Sequence, residues 1–209
     1  MIGPARATAL SLLVLLTALG GCPMTGNSAD PNGVSGSPSG SASGSETNDG
    51  SGSNGGVQGT SASADDLSTR FPDCLDPSEA AQWRDEVLRL VNVERARAGL
   101  NPVVHNQTLE DQAIEYACEM IHYDFFAHVN PVTGSQLQDR AAEFGYDYRM
   151  IGENLAAGQS SPEQVMSQWM ASEGHRDNIL NPDFTELGVG VRTGGQYGYY
   201  WVQEFGLPR

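Results

Sequence analysis

The sequence predicts an α+β domain in the C-terminal two thirds of the chain, and three observations carry that prediction. Apolar residues recur at helical spacing from about residue 76 to residue 171. From residue 186 onward they alternate at the two-residue period of a strand. Helices therefore come first and the clearest strands last, the order of a layered α+β domain rather than of a repeating parallel sheet.

The elements follow in order. "DPSEAAQW" opens a helix: Asp76 is placed to cap it, Pro77 suits its first turn and Glu79 completes a capping box. Trp83, Val87, Leu90 and Val91 then share one face with Glu94, and Gly99 ends the helix. A second helix follows Thr108, with Leu109, Ala113, Tyr116, Ala117 and Met120 on its inner face. "GSQLQDRAAEFG" is a shorter helical stretch closed by Gly145. "SPEQVMSQWMAS" starts on a Ser-Pro-Glu entry and directs Val165, Met166 and Trp169 inward. "ELGVGV" and "YYWVQEF" flank the turn-rich "RTGGQYG" and form an antiparallel hairpin.

The N-terminal third has a different composition. Arg6 precedes an apolar run over residues 7–19, too short for a stable membrane span and suited to the core of an export signal. The run ends in Leu19-Gly20-Gly21-Cys22, which resembles the bacterial lipobox, so residues 1–22 are expected to be a lipoprotein signal with Cys22 as the lipidated residue. A plain cleavable signal or an uncleaved anchor is the alternative. Residues 23–70 are rich in Gly, Ser, Asn and Asp and nearly lack large apolar side chains, the composition of a disordered tether. The folded domain is expected over residues 71–209. Three cysteines in an exported chain leave an odd one, and assigning Cys22 to lipid leaves Cys74 and Cys118 for a disulfide, with two separate thiols as the alternative.

Twenty-six acidic residues stand against 11 basic ones, all arginine, for a formal charge of −15. Such a chain repels nucleic acid, which is not expected as a partner. There is no H-E-x-x-H helix, G-x-S-x-G elbow, P-loop or dinucleotide fingerprint. Glu119-x-x-His122 lacks the second pair that a di-iron bundle needs, and His122 reads as a helix-end residue. Cys118 stands among Glu115 and Glu119, which disfavour a nucleophilic thiolate.

The remaining candidates are His128, Glu153 and His175, each set among aromatic or aliphatic residues and glycines. Two imidazoles and a carboxylate suit either zinc binding, with His128 and His175 as ligands, or general acid–base chemistry. Taken one at a time, each also serves as an ordinary structural fixture.

"LVNVERARAGLNPVVHNQTLEDQA", "FFAH", "GENLAAG", "WMASEGHRDNILNPDFTELGVGV" and "YYWVQEFG" together resemble the bacterial branch of the CAP superfamily of cysteine-rich secretory, antigen 5 and pathogenesis-related 1 proteins (SCP domain). The resemblance covers nearly all of residues 85–206. It implies a three-layer α-β-α sandwich with a central antiparallel sheet and a cleft lined by His and Glu. His128 matches the first family histidine and Glu153 the glutamate of its G-E-N motif. The second family glutamate falls on Ser172 and the second histidine on Asp183, so the implied site is His128, Glu153 and His175 with Asp183 at its edge. Members are linked to lipid binding, defence and sometimes proteolysis, and no single reaction follows from the fold. Three functions are therefore expected to compete. The first is an exported, lipid-anchored module, at the cell surface or in the periplasm, binding a lipid, peptide or cell-wall ligand. The second is a metal-assisted or acid–base hydrolase, and the third a structural or interaction protein.

Overall fold

The computed structural model describes residues 64–209. The expected export signal, the Cys22 lipidation point and the tether as far as residue 63 lie outside the described residues. The last residues assigned to the tether belong to the folded part: helix α1 (Ala64–Arg70) buries Leu67 against Phe71 and Cys74. That leucine stands four residues before Phe71 in a stretch otherwise poor in large apolar side chains.

Helix α2 (Ala80–Arg97) starts a turn later than its capping signals suggest. Pro77 closes a turn instead, its carbonyl accepting from the Ala80 N–H, and Glu79 is the N-cap without a side-chain bond. Gly99 has φ +73 and ends the helix as expected, with Leu100 N–H returning to the Arg95 carbonyl. Strand β1 (Val104–His105) leads into α3 (Gln107–His122), capped by Asn106, whose side chain accepts from Leu109 N–H at 3.0 Å. Leu109, Ala113, Tyr116, Ala117 and Met120 are all buried. Helix α4 (Leu137–Glu143), strand β2 (Tyr148–Ala157), helix α5 (Pro162–Ala171) and helix α6 (Glu173–Ile179) follow, then the hairpin β3 (Glu186–Gly194) and β4 (Gly198–Pro208).

The sheet order is β1-β3-β4-β2. β2–β4 and β3–β4 are antiparallel, and only the two-residue β1 adds in parallel, beside β3. Helices cover both faces. On one, Val87, Val91, Val165, Trp169 and Ile179 of α2, α5 and α6 pack on Leu187, Val189, Trp201, Phe205 and Ala156. On the other, α3 packs on Leu155, Tyr200 and Val202. The sandwich is the expected three-layer α-β-α architecture.

The alternation of β3 explains how closely α3 sits. Gly188 and Gly190 face that helix, and a Cβ on either would overlap its backbone at Leu109 and Ala113. The expected disulfide joins Cys74 to Cys118 and fastens the segment after α1 to α3.

One residue outside the apolar pattern is central to the other face. Arg95 is fully buried on α2 and donates to four backbone carbonyls, those of Asn101, Ile179, Asn181 and Phe184, at 2.8–3.0 Å. It ties the end of α2 to the chain that leads from α6 into β3.

Candidate functional site

The three candidate residues lie on or beside β2, an edge strand of the sheet. His128 lies in the connection between α3 and α4. That connection is fixed at both ends: the Tyr116 hydroxyl donates to the Ala127 carbonyl at 2.6 Å, and Asn130 is fully buried. The Asn130 side chain accepts from Val132 and Thr133 N–H and donates to Glu119 at 2.8 Å. Glu119, partly buried, has its carboxyl pushed upward by burial, with Asn130 opposing.

Glu153 is in the middle of β2. Period two puts it on the same face as Leu155, toward α3 and α4, where it is 7% exposed. Its two oxygens have different partners. Oε1 meets His128 Nδ1 at 2.7 Å, and Oε2 accepts from Arg140 Nη2 at 2.5 Å. Arg140, from α4, is itself buried, lies with its guanidinium carbon 3.4 Å from the centre of the Tyr116 ring, and donates to the His128 carbonyl. One guanidinium therefore fixes both members of the His128–Glu153 pair.

His175 reaches the same edge from the opposite layer. Asn154, one residue along β2, faces the α5–α6 side and donates to the His175 carbonyl at 3.0 Å. Asn178 on α6 donates to the Glu153 carbonyl and to Asn154 Oδ1. These bonds stitch α6 to β2 through buried amides, with Gln203 of β4 accepting from Asn154 on its other side. Burial, and secondarily the nearness of His128, lower the His175 pKa below its ordinary value, so the imidazole favours its neutral form. Its Nδ1 is buried without a hydrogen-bond partner among the described residues. His128, by contrast, has a side chain 42% exposed.

His128, Glu153 and His175 thus converge at the β2 edge, but Asp183 does not join them. It is exposed, its N–H bonded to Asn181 Oδ1 in the turn before β3, and among the described residues it makes no bond to His128, Glu153 or His175. The donor set also does not fit a resident zinc. Both Glu153 oxygens and His128 Nδ1 are committed inside the protein, a guanidinium lies against the carboxylate, and among the described residues no group of three His, Cys, Asp or Glu side chains is arranged to hold a metal. Cys118 is in the disulfide, and His122 is the last residue of α3, with its Nδ1 2.8 Å from Asp73. A cavity of about 410 Å³ beside α3 is lined by Arg70, Phe71, Glu115, Glu119, Tyr123, Thr133, Ser135 and Glu143, and none of the three candidates lines it.

Sequence reasoning missed Arg140, Asn154, Asn178 and Glu204. The signal for Glu204 was present: it is a lone acid in the apolar strand "YYWVQEFG". Its register partner on β2 is Glu153.

An α-β-α sandwich whose edge strand presents a His–Glu pair opposite a second histidine defines the class to which this chain is assigned. The chain belongs to the CAP, or cysteine-rich secretory protein, family, whose pattern it matches over residues 88–205, more than half its length. It is 41% identical over 129 residues to the uncharacterized protein YkwD of Bacillus subtilis and 37% identical over 120 residues to the uncharacterized membrane protein YlbC of the same organism. These alignments cover 62% and 57% of the chain but only 49% and 33% of those relatives, so it spans half or less of their length. Among solved structures, an extracellular SCP-domain protein of Bacillus anthracis matches with a TM-score of 0.56 and 32% identity, over 62% of this chain and 41% of that one. An outer surface protein of Borrelia burgdorferi shares the fold, with a TM-score of 0.58 at 21% identity, over 65% of this chain and 98% of the other.

Proposed function

We propose that the protein is exported, held to a membrane by lipid on Cys22, and uses the edge of β2 to bind an extracellular or cell-envelope ligand. The carrying observation is the division of labour at that edge: the Glu153 carboxylate is spent on Arg140 and His128, while His175 Nδ1 is buried without a partner among the described residues and His128 is open to solvent. A site whose acid is already fixed by a cation is built to present oriented imidazoles rather than to supply a free carboxylate base. The named relatives that are extracellular, outer-surface or membrane proteins support export. Attachment through Cys22, with the described domain on a tether, would let the β2 edge reach past the membrane surface.

A second function has one observation in its favour. A histidine oriented through Nδ1 by a buried carboxylate is the arrangement of a general base, and His128 has it at 2.7 Å. Hydrolysis of an envelope polymer would then use a water activated at His128.

One experiment separates the two. The protein, His128→Ala and His175→Ala are titrated against envelope fragments (short glycan strands, their stem peptides and phospholipid vesicles), and the same mixtures are assayed for new ends. Saturable binding without turnover, weakened at least tenfold in both variants, is the expected result. Turnover lost in His128→Ala alone would replace the binding function with the hydrolase. Absence of both would leave the third alternative, a structural role, in force. Mass spectrometry of the N-terminal peptide tests the anchor, since lipid on Cys22 must disappear in Cys22→Ala.

A further inference from the structure

Glu204 is the one acid that the site just described does not use. It is fully buried on β4, directly opposite Glu153 on β2. Its other cross-strand neighbour is Gly188, which has no side chain and lets α3 close over the position. As a carboxylate it would have no charged donor of its own: neither oxygen accepts a well-formed hydrogen bond among the described residues, and the donor beside it is the neutral, buried Gln112 amide, which opposes the upward push on the Glu204 carboxyl only weakly. Nor can it share the cation of the site on equal terms, because Arg140 Nη2 is already 2.5 Å from Glu153. Two ionised carboxylates side by side on one sheet face, one paired with a guanidinium and the other left with a neutral amide, are not a stable arrangement.

We infer that Glu204 is a neutral carboxylic acid in the folded protein and donates its proton to the Glu153 carboxylate, which makes it a positioning residue for the His128–Glu153 pair. The proton comes from solvent as the chain folds and is shared within the carboxyl pair, so the pair carries one negative charge against the one positive charge of Arg140. Four other ionisable groups lie near this spot, and one of them, Glu119 on α3, accepts from Asn130 and lies within reach of the Arg140 charge. Tyr116 on α3 is kept neutral because burial raises its pKa, Arg140 comes from α4, and His128 reaches Glu153 from the loop between them. Burial, followed by the charge of Glu153, pushes the Glu204 carboxyl well up, with Arg140 opposing. A third donor on Glu153 fixes the rotamer that His128 reads, whatever the cleft binds.

The sign of the pH effect follows. Above the ordinary carboxyl value, near 4.3, the unfolded chain has released this proton while the folded chain keeps it. Folding then takes up one proton, and the folding equilibrium constant falls up to tenfold for each pH unit until the pair itself ionises. His175 and Glu119 titrate in both the protein and a Glu204 variant, so their contributions cancel in the comparison.

The test uses the full chain with its glutamates carbon-13 labelled at Cδ. One Cδ resonance is expected to keep the shift of a protonated carboxyl at pH 7 and to be missing from Glu204→Gln. In Glu153→Gln the same resonance should move to the ionised form, because Glu204 then inherits Arg140. Glu204→Gln, which can still donate to Glu153, should fold and should lose the downward slope of stability between pH 5 and 8. A spectrum in which every glutamate titrates near pH 4 to 5, or superimposable stability profiles for the protein and Glu204→Gln, would overturn the assignment.

Discussion

Replacing Glu153 with glutamine removes the charge that Arg140 was built around. The two charged groups are 2.5 Å apart and their side chains are 4% and 3% exposed, so little water screens them. With the centres of charge about 4 Å apart behind the touching atoms, their attraction is worth on the order of 4 kcal/mol at an effective dielectric constant of 20. Breaking a buried pair by deleting one partner typically costs about 3–5 kcal/mol, because the remaining ion stays buried and unpaired. Glu204 modifies that expectation here. Lying opposite Glu153, it can ionise and take over the guanidinium, so Glu153→Gln alone should lose roughly half of the full penalty, about 2 kcal/mol. The double variant Glu153→Gln, Glu204→Gln has no carboxylate left and should lose the whole ~3–5 kcal/mol. Urea unfolding at pH 7, followed by tryptophan fluorescence, measures both, with unchanged m values required for the comparison. Equal losses in the single and double variants would show that Glu204 does not couple to the pair. A loss under about 1 kcal/mol in the double variant would mean that Arg140 is solvated and that the ion pair is not a buried one.

Four further outcomes are expected. Gly188→Ala puts a methyl group into the α3 backbone at Leu109 and should cost about 1–3 kcal/mol, read by thermal melting. Arg95→Met leaves four buried carbonyls without their shared donor and should cost more than ~3 kcal/mol, or prevent folding, as read by circular dichroism. Opening the Cys74–Cys118 disulfide, 44 residues apart, should cost ~4 kcal/mol on chain-entropy grounds, and mass spectrometry of the oxidised protein should find the two cysteines joined. The His175 imidazole should titrate below 6.5 and move upward in His128→Ala, because the second cause of its depression is gone; proton NMR follows both. Its contribution to stability is present above the ordinary histidine value and is lost as the pH falls through the lowered one, since the unfolded chain then binds the extra proton.

The helices were legible because apolar spacing records the contrast between a wet and a buried face; the hairpin is covered on both faces, and it was legible because Leu187, Val189 and Val191 alternate with Gly188 and Gly190 on either side of a turn-rich segment. Leu109, Ala113, Tyr116 and Ala117 on α3, and Val165 and Trp169 on α5, have the burial that their spacing implies. β2 was not legible. Both of its faces are covered, so "YRMIGENLAA" shows no alternation, and its polar Glu153 and Asn154 point to opposite layers. α6 is seven residues long, with no side-chain bond at its N-cap, too short to leave a periodic signature. The capping box expected at Asp76 does not form: the Asp76 side chain pairs with Arg192, and Pro77 closes a turn ahead of α2.

His128, Glu153 and His175 were recoverable from the sequence because each stands out chemically from its immediate neighbours, and the family pattern set them in one frame. The cysteine pairing was recoverable for a similar reason, since parity constrains it. What those residues are bonded to was decided only by the tertiary structure. Arg140 is 12 residues from His128 and 13 from Glu153, and Glu204 is 51 residues beyond Glu153, distances over which no local periodicity operates. The register of β4 against β2 brings the two acids together, and the glycines of β3 let α3 seal them from water. Sequence alone singled out side chains that meet at the β2 edge; strand register and burial decided their partners and charges, because both are properties of a packed interior.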